Sequence, residues 1–307
     1  MLLFRNCVAG FLSLALSGAA LAQVGKGDVQ AIDCGKCAAW NAEQAPFNIF
    51  GNTWYVGTRE LSSVLITGDQ GHVLIDGALP QSAAQIERHI KQLGFDIRDV
   101  KLIVNSHPHF DHAGGIAALR RASGAKVAAS APAAAVLKAG VIGADDPQFE
   151  PSNTHFPALD QVIGVSDGQT LMVGALALTA HLTPGHTQGG ASWTWRACEK
   201  ERCLQVAYLD SLYPASTDGF RFSGGAGRPA IATAFMASID KVAALPCDVA
   251  LSAHPDFTDM LDKLAARTAA RNPFVDGAGC RAYAADARQR LTARLAKERG
   301  ARLPAPQ

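Results

Sequence analysis

The stretch NSHPHFDHAGG, residues 105–115, sets three histidines and one aspartate within six consecutive positions, in a chain that has nine histidines in all. It follows VKLIV (100–104), an apolar run of strand length, and leads into AGGIAALRRASG (113–124), which has helical spacing. On an extended strand end, residues two apart point the same way, so His107 and His109 are expected to project together. Asp111 continues the alternation, and His112 falls where the chain turns into the helix. Four donors then converge on one spot.

A catalytic zinc commonly keeps three protein ligands and one open position. Four local donors are too many for one such ion and too few for two, so further ligands are expected at other strand ends. TPGHT supplies His186 and LSAHPD supplies His254, each just beyond an apolar run. Six ligands make two sites of three. Paired hydrolytic metals of this kind lie roughly 3.5–4 Å apart. His72, His89, His155 and His181 carry no matching motif and read as ordinary histidines, His89 as an exposed one beside the apolar stripe of its helix.

Outward from this string, short apolar runs alternate with helical patterns. NTWYVG, SSVLITGD and GHVLIDGA read as strands, QSAAQIERHIKQLG as a helix with Ala83, Ile86, Ile90 and Leu93 on one face, and KVAAS as a further strand. The second half repeats the style, with strands in QTLMVGALALTAHLT, ASWTWRA, LQVAYLD and DVALSAH, and helices near 229–245, 257–270 and 280–299. Two β-rich halves clothed by helices predict two sheets packed face to face with helices outside. Residues 141–166, rich in Pro, Asp, Asn and Ser, read as a long loop.

Residues 1–22 read as a secretory signal peptide: Arg5 gives a positive start, an apolar stretch follows, and Ala20-Leu21-Ala22 is a small-x-small cleavage site. The apolar stretch is too short to span a bilayer, and no membrane anchor is expected. Residues 23–44 form a polar N-terminal arm, and 45–307 are expected to be one domain. The chain has 28 Lys+Arg and 27 Asp+Glu; removing the leader removes Arg5, which leaves 27 against 27. That neutrality argues against a nucleic-acid partner, and the Arg-rich stretch 281–299 reads as a solvated helix face. No apolar stripe suggests a partner subunit, so a monomer is expected.

Of seven cysteines, Cys7 falls in the leader, and six remain for an oxidising compartment, the periplasm. Cys198 and Cys203 flank the polar turn EKER as a hairpin-tip disulfide would, and Cys247 and Cys280 are candidates for a second. The CGKC at 34–37 is compatible with a redox motif or half a zinc knuckle. The lack of a second CxxC or a following βα unit favours a structural disulfide or two free thiols.

HPHFDH, TPGHTQGGASWTWR, YLDSL and AHP together resemble the metallo-β-lactamase superfamily, and within it the subclass B3 enzymes, across most of the chain from about Phe47. The resemblance implies an αββα four-layer sandwich with a dinuclear zinc site at one edge, with His107, His109 and His186 matching the ligands of the first zinc and Asp111, His112 and His254 those of the second. It also implies a serine, Ser211, where other subclasses place a metal-binding cysteine. The implied activity is hydrolysis of the β-lactam amide of small-molecule antibiotics by metal-activated water, without a covalent acyl-enzyme, which confers antibiotic resistance. Relatives bind the substrate carboxylate with two serines two positions apart; this chain has Ser211 and then Tyr213. Residues 150–160 are a candidate lid, with Phe156 as an apolar wall. Thioesterases and lactonases of the same superfamily share these histidines but add an aspartate that bridges the metals, and Asp210 stands near that place. An exported lactonase is therefore the main alternative, and a structural or storage zinc site the non-enzymatic one.

Overall fold

The computed structural model describes residues 30–151, 155–225 and 227–300. The leader expected at 1–22 lies outside the described residues. Seven strands form the first sheet, in chain order: β1 (Phe47–Phe50), β2 (Thr53–Tyr55), β3 (Val64–Ile66), β4 (His72–Ile75), β5 (Val100–Val104), β6 (Lys126–Ser130) and β7 (Ile163–Val165). The first four pair antiparallel and β4 to β7 pair parallel. The second sheet runs β12-β11-β10-β9-β8, built from β8 (Thr170–Val173), β9 (Leu176–Leu182), β10 (Ala191–Glu199), β11 (Arg202–Leu209) and β12 (Val249–Ser252). In it β11 and β12 pair parallel and the other neighbours antiparallel.

The layering follows from side-chain alternation along strands buried on both faces. Val64 and Ile66, Val73 and Ile75, and Leu102 and Val104 face the second sheet, where they meet Trp193, Trp195, Val206, Tyr208 and Leu251. Their neighbours Leu65, Leu74 and Ile103 face outward, onto helices α2 (Ala83–Gln92), α4 (Ile116–Ser123) and α5 (Ala131–Ala139). On the far side, Ala207, Leu209 and Ala250 pack against α6 (Ala232–Ala243) and α8 (Gly279–Gly300). The result is the expected αββα sandwich. Three one- or two-turn helices complete it: α1 (Cys37–Trp40), α3 (Phe110–Ala113) and α7 (Met260–Ala265).

Several expectations shift in detail. QTLMVGALALTAHLT is two strands, β8 and β9, turned at Gly174, whose φ of +56° suits glycine. The loop at 141–166 ends in β7, which extends the first sheet beside β6. Phe156 is buried in the outer core of the first sheet with Ile142 and Leu159, so it is not a wall of the cleft. His89 is fully buried, not exposed: its Nδ1 lies 2.9 Å from the Val56 carbonyl and its Nε2 2.9 Å from Glu43. Those partners come from remote segments, so the helix pattern alone did not reveal them.

Disulfides join Cys34 to Cys37, Cys198 to Cys203 and Cys247 to Cys280. The second closes the β10–β11 hairpin, where Cys198 and Cys203 are directly opposite, and the third ties the approach to β12 to the first turn of α8. Among the described residues no helix is long and apolar enough to cross a membrane.

Candidate metal centre

The strand β5 ends at Val104, so His107 and His109 stand on the connection beyond it and not on the strand itself. That connection is shaped by Asp76, a buried residue with φ +58° just after β4. Its carboxylate accepts from the Asn105 side chain (2.9 Å), the Ser106 N–H (2.7 Å), the Ser106 hydroxyl (2.6 Å) and the Tyr208 hydroxyl (2.9 Å). His109 then caps α3, whose single turn carries Asp111 and His112. The two glycines that follow permit close packing: a Cβ on Gly115 would lie 2.1 Å from the Gly77 carbonyl oxygen. His186 follows β9, and His254 follows β12.

The folded chain brings all six residues together. One donor atom each from His107, His109 and His186 lies within 4.8 Å of the others, as do those of His107, Asp111 and His112. His254 Nε2 is 3.2 Å from His112 Nε2 and 3.4 Å from the Asp111 carboxylate, which is itself 3.3 Å from His112 Nε2. His107 thus touches both groups.

The opposite edges of these rings are held by acceptors. His107 Nδ1 donates to Asp210 (2.8 Å), His109 Nε2 to Asp146 (3.0 Å), His186 Nδ1 to the Tyr213 carbonyl (2.7 Å) and His254 Nδ1 to the Glu60 carbonyl (3.1 Å). An acceptor on one edge places the ring proton there and leaves a lone pair on the other, the arrangement that supports metal-ligating histidine. The Gln148 amide nitrogen reaches two of the inward nitrogens, His109 Nδ1 (3.3 Å) and His186 Nε2 (3.2 Å), and the lone pairs that converge beyond it with the Asp111 carboxylate suit a cation between them. His107 Nε2 is buried with no hydrogen-bond partner among the described residues. The donor set therefore fits divalent cations.

Electrostatics divide the rings: burial acts to lower His112, but Asp111 and Asp76 prevail and raise it. Burial, with the charges of His112, His186 and His109, pushes the His107 imidazole well below its usual range, and burial takes His186 down to about 3. Both rings are neutral at physiological pH, as ligands must be. Burial would raise Asp111, but the neighbouring His112 and His254 hold it well below the ordinary carboxylate range. Burial pushes Asp210 up, against the Ser211 N–H that favours its charge.

The cluster opens into a cavity of about 1020 Å³, lined by His109, Asp111, His186 and His254, with Ser211, Gln148 and Tyr213 beside them. Ser211 is 1% exposed and its Oγ has no hydrogen-bond partner among the described residues. The Tyr283 hydroxyl of α8 fixes the backbone around it, donating to the Asp210 carbonyl (2.7 Å) and accepting from the Leu212 N–H (2.9 Å). Tyr213 is 40% exposed, with its ring between Phe257 (6.1 Å) and the Arg290 guanidinium (5.2 Å).

A family profile described as the metallo-beta-lactamase superfamily matches residues 56–254. The chain belongs to that superfamily. Among solved structures, the Rm3 metallo-beta-lactamase is 49% identical with a TM-score of 0.84, covering 87% of this chain and 100% of its own. MEM-A1, a subclass B3 metallo-beta-lactamase from a soil metagenome library, is 47% identical with a TM-score of 0.82, covering 85% and 99%. The hydroxyacylglutathione hydrolase of Cupriavidus taiwanensis is 31% identical over 182 residues, 58% of each chain. This chain spans a little over half the length of that curated relative. The superfamily places the protein among metal-binding hydrolases, and its histidine-rich centre is the part of the cavity suited to that chemistry.

Asp146, Asp76 and the Glu60 carbonyl escaped the sequence reading, and Asp210, noted there only beside the place of a metal-bridging aspartate, holds His107. Asp76 lies in a strand-ending Ile-Asp-Gly that offered a signal; the others act from segments with no motif of their own.

Proposed function

We propose that the protein is a periplasmic zinc β-lactamase of subclass B3, exported behind residues 1–22 and acting as a monomer through one domain, 45–307. In this reading His107, His109 and His186 hold one Zn2+, and Asp111, His112 and His254 hold the second. Two ions held there would supply Lewis acidity and lower the pKa of water. The protein's own groups do the rest. Asp111, kept ionised by His112 and His254, orients the attacking water and accepts its hydrogen bond. The unpartnered Ser211 hydroxyl donates to the substrate carboxylate at the cavity floor. Tyr213, partly exposed on the same rim, offers a second hydroxyl. No serine nucleophile is needed, and Ser211 has no general base hydrogen-bonded to it among the described residues.

The observation that carries this choice over the lactonase and thioesterase alternative is the orientation of Asp210. One carboxylate oxygen takes the His107 Nδ1 proton at 2.8 Å and the other faces the Thr183 hydroxyl at 3.4 Å. The carboxylate therefore sits behind His107, on the side away from the converging lone pairs, where a metal-bridging aspartate would not. Similarity to a hydroxyacylglutathione hydrolase keeps the thioester reading as the rival.

Turnover of the chromogenic cephalosporin nitrocefin, blocked by a chelator and restored by zinc, is the expected result. Lack of turnover by zinc-loaded protein, with hydrolysis of an acyl-homoserine lactone or a glutathione thioester in the same assay, would replace this reading with its rival.

A further inference from the structure

The Cys34–Cys37 disulfide takes no part in the chemistry above, yet Cys34, Gly35, Lys36 and Trp40 all line the metal-site cavity. The segment that carries them is tied down at two ends. Upstream, the Ile32 N–H and carbonyl pair with the Gln81 amide at 3.1 and 2.9 Å. Downstream, the Trp40 carbonyl accepts from the Thr58 hydroxyl, the Asn41 side chain from the Ser82 hydroxyl, and the Ala42 carbonyl from the Arg59 N–H. Between those anchors, residues 33–39 make no hydrogen bond outside the segment itself among the described residues. What holds this turn is the disulfide, the internal Cys37 N–H to Cys34 carbonyl bond of 3.1 Å, and burial of Cys37 in the outer core; α1 then carries Trp40 from it, with the Trp40 N–H on the Lys36 carbonyl (2.9 Å) and the Asn41 N–H on the Cys37 carbonyl (3.0 Å).

The wall so held is aromatic. The Trp40 ring lies 5.7 Å from that of His254 and 6.3 Å from that of Phe110, and Phe257 lies 5.1 Å from His254 on the other side. Lys36 Nζ sits 6.0 Å from the Trp40 ring at the rim. A flat apolar group placed beside these rings is removed from water and stacks or packs edge-on, a favourable match for aromatic surfaces.

We propose that the Cys34–Cys37 disulfide is a substrate-positioning element: it fixes Trp40 as a wall that receives an aromatic acyl arm of the substrate. The inference rests on the hydrolase reading above and adds the class of side arm that this wall selects. Cys34 and Cys37 act only through Trp40.

The test compares KM and kcat for a penicillin with a phenylacetyl arm and a carbapenem with only a hydroxyethyl group. It uses the parent protein, Trp40→Ala, the double variant Cys34→Ser/Cys37→Ser, and the triple combination. Parent turnover of both substrates reports on the hydrolase reading, and the variant ratios report on the wall. KM for the aryl penicillin should rise about ten-fold in Trp40→Ala and nearly as much in the double variant, with kcat moving less. The carbapenem KM should rise about two-fold or less, and the triple variant should show no further change, since one effect acts through the other. An equal rise for both substrates, additive losses in the triple variant, or loss of bound metal without the disulfide would overturn the proposal. Each would mark a merely structural role. Should the double variant fail to fold, a substrate-blind Trp40→Ala would overturn it alone.

Discussion

Four of the inward imidazoles, those of His107, His109, His186 and His254, have an acceptor at the other edge, so single residues one step removed from the cation matter. Asp146→Ala takes the acceptor from His109 Nε2 while leaving the ring in place. Metal affinity should fall about 10–100-fold, read by competition with a chromogenic chelator; unchanged affinity would mean that packing alone orients His109. His107→Ala should abolish most turnover and release metal, because His107 touches both donor groups; full activity with one ion per chain would contradict a dinuclear centre. At this scale the clustering of six residues was legible because His107, His109, Asp111 and His112 share one short string and His186 and His254 each end an apolar run. Their supporting acceptors were not. Asp210 is 103 positions from His107 and Glu60 is 194 from His254, and no local pattern records such pairings.

The elements that carry these residues were readable in proportion to their periodicity. The near-continuous apolar runs SSVLITGD, GHVLIDGA and VKLIV read as strands, and β3, β4 and β5 are buried on both faces as such runs require. Strand β7 has three residues, and β1 is interrupted by a bulge between Asn48 and Phe50, so neither offers a full period. Helix α5 carries an N-cap at Ser130, Pro in its first turn and a left-handed Gly140 beyond it, but its alanine-rich sequence gives only a weak amphipathic stripe. Helix α8 is anchored near its end by Glu298. Burial would raise this carboxyl, but the Ser223 hydroxyl and N–H, Arg294 and the Phe222 N–H together hold it below its usual 4.5. A depressed folded-state pKa stabilises above the unfolded value, and this contribution is lost as pH falls through the folded one. Glu298→Gln should therefore cost about 1–2 kcal/mol in urea unfolding at pH 7, with the difference narrowing below pH 4.5. A pH-independent difference would assign the cost to packing.

At the scale of the whole molecule, the centre draws on segments following β5, β9 and β12, so a bound cation braces both sheets at one edge. Binding to the folded state alone stabilises by about 2.7 kcal/mol at a hundred-fold excess over Kd. Chelation should lower the melting temperature by several degrees, and zinc should restore it; an unchanged melting temperature would separate the cation from the fold. The most direct test of the six-residue, two-cation account is a zinc-soaked crystal with anomalous scattering at the metal edge. Two peaks are predicted, one bound by His107, His109 and His186 and the other by Asp111, His112 and His254, with the Asp210 carboxylate bound to neither. A single peak, or Asp210 bridging two, would contradict it.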